Sequence, residues 1–220
     1  MAAPNIAPID QSKLRESVYS ALRDAFTRGE FAPGDTVSLR TLAEQLGTSM
    51  TPVREAVRRL VAEGALVDTP SRTLIVPPFS ARRMADLKAA RLALETLVLD
   101  QAMARMTAVD IDALAQVIAS PHNAGLHGPD LETNYRFHFQ LYRHSGSEIL
   151  LPMVEALWLQ YGAYLNRIIA QDSARAIEEH LHHSQILDAL RRGDRAAARA
   201  ALEADIERSF SILATRVGDD

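Results

Sequence analysis

The chain has 220 residues, enough for one or two domains that each bury a core. Its 47% apolar and 24% charged residues exclude a disordered or low-complexity chain, and ten glycines with ten prolines point toward helix. The absence of cysteine excludes a disulfide framework, an iron–sulfur cluster and a thiol nucleophile, and suits a reducing cytoplasm; the net charge of −4 gives no hint of a nucleic-acid partner. No apolar run approaches the roughly 18 residues of a membrane helix, and the opening MAAPNIAPIDQSK lacks the pattern of a secretory signal.

In chain order, Leu14, Val18, Leu22, Ala25 and Phe26 recur at helical spacing up to Gly29, and residues 31–35 read as a turn. A short helix covers Leu39 to Leu46 and stops at Gly47. A third begins after Ser49 or Thr51, accepts Pro52 in its first turn and ends at Gly64. Leu66–Thr69 and Thr73–Val76 flank Pro70, Ser71 and Arg72 as a hairpin. Three helices and a two-stranded ribbon make a winged helix-turn-helix. Seven of the ten prolines lie in the first 78 residues, and Pro77 with Pro78 sets a boundary between a DNA-binding domain, 1–78, with a short flexible arm, and a second domain, 79–220.

From residue 80 onward the patterns are helical: Ser80 to about Arg105, a helix opened by Thr107 with Asp110 three residues on, about Asp130 to His144, Ser147 through Ile169, Ser173 to Arg192, and Asp194 to about Arg216. Short connections imply an antiparallel all-α bundle of six or seven helices, so the fold class is mainly α.

The stretch from Leu39 to Arg54 meets three constraints of a helix-turn-helix in register. Ala43 is small where two helices cross, Gly47 suits the positive φ of a tight turn, and Val53 returns an apolar side chain to the core. In such a unit the third helix enters the major groove by its N-terminal end, which offers Ser49, Thr51 and Arg54 to bases and phosphates. Arg40 suits a phosphate or adjacent base, and Arg72 at the wing tip suits the backbone or minor groove. Arg58 and Arg59 lie further along the helix, where a solvated or salt-bridged role is equally open. The segment LAEQLGTSMTPVREAVRRLVAEGAL, with FAPGDTVS before it, resembles the DNA-binding domain of GntR-type bacterial transcription regulators. Met50 stands where that family often has Arg, and Thr73 where its wing often has Gly, which implies an altered operator preference or wing shape.

The second half places polar residues in apolar stripes. Asn134 and His138 share one face at i, i+4, continued by Leu141 and Tyr142. His183 precedes Ile186, Leu187 and Leu190, and Asp205 lies between Leu202 and Ile206. A carboxylate in a bundle core is costly unless paired or coordinated. Two imidazoles, one carboxylate and one amide from three helices would make a divalent-metal site of N/O character. Spacing alone leaves other roles open: Asn134 as a cap, His138 or His183 as hydrogen-bonded core histidines, Asp205 in a salt bridge. His180 shares a face with His183, so either imidazole is available as the ligand.

The segment from about Asp86 to Arg208 resembles the all-helical effector-binding (FCD) domain of the FadR branch of the GntR family. The matching pieces are Arg91 to Glu95, Asn134 to His138, and His183 to Asp194. The resemblance implies a metal (zinc, nickel or manganese) at Asn134, His138 and His183, with Asp205 where the family has a further histidine. It also implies a small organic acid completing the metal shell, with Arg91 available to pair with another of its oxygens. A salt bridge from Arg91 to Glu95 is the competing role. Tyr161 and Asn166, with Trp158, Tyr135 and Tyr164, are candidate pocket residues, the aromatics equally suited to plain core.

These readings converge on a ligand-responsive transcriptional regulator. It binds a palindromic operator as a homodimer, and the expected sign is repression relieved by effector. The alternative is a metal-dependent hydrolase or lyase on a helical bundle; against it stand the lack of an HExxH pattern, a nucleophile motif or a Gly-rich phosphate loop.

Overall fold

The structure is a computed structural model, described over residues 11–70, 73–120, 131–169 and 180–214, with side chains over 12–70, 73–120, 131–164 and 180–211. The N-terminal part contains α1 (Gln11–Thr27), β1 (Thr36–Val37), α2 (Leu39–Gln45), α3 (Met50–Ala62), β2 (Val67–Asp68) and β3 (Leu74–Ile75). Val18, Leu22 and Phe26 of α1, Leu42 and Ala43 of α2, and Val53, Ala56, Val57 and Leu60 of α3 close one core. Ser38 caps α2 by accepting from the Thr41 amide, and Gly47 turns the chain toward α3 at φ +61°.

The ribbon expected from sequence is a three-stranded antiparallel sheet in the order β1-β3-β2. Thr36 pairs with Ile75 and Val37 with Leu74, so the residues after the Pro33–Gly34 turn supply the extra strand. Its buried Val37 seals the sheet against the helices.

The rest of the described chain is helical: α4 (Ala81–Met103), α5 (Ala108–Ala119), α6 (Leu131–Arg143), α7 (Leu150–Ile169), α8 (Leu181–Arg192) and α9 (Arg195–Ala214). The expected helix start at Ser173 lies outside the described residues. Ser80 caps α4, and Thr107 with Asp110 forms a reciprocal capping box at α5. A second core runs through these helices, including Leu99, Leu114, Phe137, Tyr142, Ile186, Leu202 and Ile206.

Helix α7 belongs to both cores. Trp158, Tyr161 and Tyr164 pack in the second, whereas Leu159 and Ala163 enter the first. Gly162 permits this approach, since a Cβ there would stand 2.3 Å from the Phe26 carbonyl oxygen. The orphan carbonyls ending α3 find side-chain donors nearby: Gln160 Nε2 donates to Glu63 O at 2.9 Å, and Arg83 Nη2 to Gly64 O at 3.0 Å. Arg83 also donates to Gln160 Oε1 at 2.6 Å, which braces the two donors together.

Candidate DNA-reading face and metal centre

The head of α3 is open. Ser49 occupies the N-cap position but its side chain makes no capping bond, leaving the hydroxyl uncommitted there. Thr51, Arg54 and Arg58 are exposed on the same helix, while Pro52 and Val53 are buried behind them. Arg40 is 3.0 Å from Glu44, but both side chains are well exposed, and such an i,i+4 pair contributes little stability. Arg59 is differently held: its guanidinium lies 3.6 Å from the centre of the Tyr19 ring and its Nε donates to Glu63. Tyr19 also donates to Glu63, so Arg59 braces α1 against α3. Met50 is 46% exposed at the head of the helix. Arg72 lies outside the described residues.

The second site forms where α6, α8 and α9 meet. His138 and His183 are almost wholly buried, and Asp205 is 19% exposed. His138 Nε2 stands 3.1 Å from Asp205 Oδ2 and 3.2 Å from His183 Nε2. One ligand atom from each lies within 4.8 Å of the other two. Two donors bound roughly 2.1 Å from one metal at tetrahedral or octahedral angles stand about 3.0–3.4 Å apart, so the set fits a first-row divalent cation. Asn134, half-buried, precedes His138 by one helical turn. His180 sits behind His183, Nδ1 to Nδ1 at 3.2 Å, so His183 is the residue facing the cluster.

Electrostatics favour ligation. Burial, with the neighbouring His138, pushes the His183 pKa down to about 3, so its imidazole is neutral and carries a lone pair at pH 7. Burial acts to raise the Asp205 pKa, but the contact with His138 Nε2, together with nearby His183 and the Arg91 guanidinium, outweighs it and keeps Asp205 a carboxylate.

Beside this cluster the Arg91 guanidinium lies 4.4 Å from the Trp158 ring, 4.7 Å from Tyr161 and 5.8 Å from Phe210. It pairs with buried Glu95, as the i,i+4 spacing allows. Arg91 Nη1, Trp158 Nε1 and Tyr161 Oη are buried and make no well-formed hydrogen bond among the described residues. Arg91 and the two rings beside it thus carry buried N–H and O–H groups without a well-formed partner, although Ser209 lies near the Tyr161 hydroxyl, and such donors suit a carboxylate. The Asn166 side chain lies outside the described residues. Sequence reasoning gave no part in the site to Phe210, and treated Tyr142 only as core. Its one signal is its position four residues after His138: the Tyr142 hydroxyl lies 3.1 Å from His138 Nδ1 and donates to Glu95 Oε2 at 2.6 Å.

Comparison with known families matches residues 14–74 to the gntR family of bacterial regulatory proteins and residues 86–208 to the FCD domain. The chain belongs to the GntR family. This GntR protein is similar over nearly its whole length to the HTH-type transcriptional regulator McbR of Escherichia coli K12, with 29% identity over 215 residues covering 96% of this chain and 97% of the relative. The Nta operon transcriptional regulator of Aminobacter aminovorans is 32% identical over 170 residues, covering 76% and 80%. The solved structure of E. coli McbR/YncC superimposes with a TM-score of 0.85 at 28% identity, covering 93% of this chain and 98% of that one. The GntR protein is therefore a transcriptional regulator with an FCD effector-binding domain and not an enzyme, which sets aside the hydrolase or lyase alternative. Among the described residues no helix is long and apolar enough to cross a membrane.

Proposed function

We propose that this GntR protein is a cytoplasmic repressor whose grip on operator DNA is relieved by a small organic acid bound at a metal centre. Residues 1–78 form the DNA-binding domain and 79–220 the sensing and dimerisation domain. As a homodimer it sets two α3 helices into successive major grooves of a palindromic operator. Ser49, Thr51, Arg54 and Arg58 contact bases and phosphates from α3, while Arg40 takes a phosphate or adjacent base and Arg72 the DNA backbone or minor groove. His138, His183, Asp205 and Asn134 hold zinc, nickel or manganese. When bound, the metal supplies a Lewis-acidic position for one effector oxygen. Arg91, Tyr161 and Asn166 orient the rest of the acid.

One observation carries this reading: a nitrogen-and-carboxylate cluster of metal-ligand spacing lies beside a buried arginine and its unfilled donors. Helix α7 supplies the route to DNA, because Trp158 and Tyr161 flank Arg91 while Gln160 and Gly162 touch the ends of α3 and α1. An acid that binds one arrangement of α7 more tightly shifts the spacing of the DNA heads toward that arrangement. The test is a gel-shift titration on DNA flanking the gene, with metal-loaded protein and a panel of sugar, hydroxy and amino acids. The reading expects salt-sensitive, sequence-selective binding that one acid releases. Equal binding to random DNA, or no acid with any effect, would count against it.

A further inference from the structure

Behind His138, away from the ligand cluster, lies a chain of fully buried polar side chains. Glu95 pairs with Arg91, and as the arginine's counter-charge it has acceptors only. The Tyr142 phenol has one proton to give, as any tyrosine has at neutral pH. That single proton points to Glu95 Oε2 at 2.6 Å. A lone pair of the hydroxyl is what remains to face His138 Nδ1 at 3.1 Å, so Nδ1 must be the donor. An imidazole carrying its proton on Nδ1 presents a lone pair at Nε2, the atom 3.1 Å from Asp205 Oδ2 and 3.2 Å from His183 Nε2.

We infer that Tyr142 and Glu95 are positioning residues that fix His138 in its Nδ1–H tautomer and so keep Nε2 available as a metal ligand. The inference rests on the reading that His138, His183 and Asp205 hold a divalent cation. Outer-shell hydrogen bonds of this kind orient ligating histidines and raise their basicity. Glu95 serves both ends of the chain, so the subsite at Arg91 and the metal position share one carboxylate.

The test uses the full chain loaded with zinc. Tyr142→Phe removes one oxygen and leaves the packing volume nearly unchanged. Competition against a chromophoric chelator is expected to show zinc binding weakened roughly 10- to 100-fold. Long-range proton–nitrogen NMR of the zinc-loaded natural protein is expected to show His138 protonated at Nδ1, a signature that needs no variant. Zinc affinity unchanged by Tyr142→Phe, or His138 protonated at Nε2, overturns the inference while leaving the metal centre standing. A natural protein that takes up no zinc, nickel or manganese overturns both.

Discussion

Gly162→Ala tests the junction between the two cores. In an ordinary exposed helix this change stabilises by about 1 kcal/mol, because alanine restricts the unfolded chain. Here the new methyl would stand 2.3 Å from the Phe26 carbonyl oxygen, 2.9 Å from its carbonyl carbon and 3.1 Å from Thr27 Cα. Ordinary contact begins near 3.4 Å, so α1 and α7 must separate by about 1 Å. All three neighbours are backbone, and no side-chain rotation can relieve the clash. Overpacking of this sort costs about 1–3 kcal/mol, and with backbone on both sides the upper end applies. Net of the helix gain, the loss is about 2 kcal/mol, or roughly 4–8 °C in melting temperature for a chain of this size. Thermal unfolding followed by circular dichroism reads it directly. A melting temperature unchanged or raised would refute the close approach of α7 to α1, and with it the proposed route from effector to DNA.

Other outcomes follow from named side chains. Arg54→Ala should weaken operator binding by about 1–3 kcal/mol with loss of preference at one base position, measured by fluorescence anisotropy; equal weakening on random DNA would remove its base-reading role. Asp205→Ala should strip the purified protein of its divalent metal in elemental analysis, and an unchanged metal content would take Asp205 out of the ligand set. Folded metal-free protein holds His183 neutral down to about pH 3, whereas the unfolded chain protonates it near 6.5. The unfolded state then binds the extra proton, so stability should fall as pH drops from about 6.5 toward 3, by up to about 1.4 kcal/mol per pH unit. Urea denaturation at pH 7, 6 and 5 checks this, and a flat profile would contradict the burial argument. Chelation should lower the melting temperature of metal-loaded protein, since the proposed ion ties α6, α8 and α9 together; no change would deny it that role.

The DNA-reading half was legible because its constraints are local: Ala43, Gly47 and Val53 lie within eleven residues and each answers one steric demand. The strand at Thr36–Val37 escaped because two residues carry no readable alternation, and its partner Leu74–Ile75 lies far along the chain. His138, His183 and Asp205 stood out because polar groups in apolar stripes need a compensating partner. Tyr142 did not, since a tyrosine on the buried face of a helix is ordinary and its meaning depends on where its one proton points. The junction was invisible for a different reason: Gln160 meets Glu63 from 97 residues away, and no helical period encodes that distance. Nor does spacing tell that Gly162 is a site of contact, because glycine within a helix otherwise registers only as a weak position.

The most direct measurement is the dissociation constant of the DNA flanking the gene, taken with metal-loaded and with chelated protein across the panel of organic acids. The account predicts that at least one acid weakens DNA binding of the loaded protein, and that chelation or His138→Ala abolishes the effect while DNA binding persists. An acid response that survives removal of the metal would contradict it.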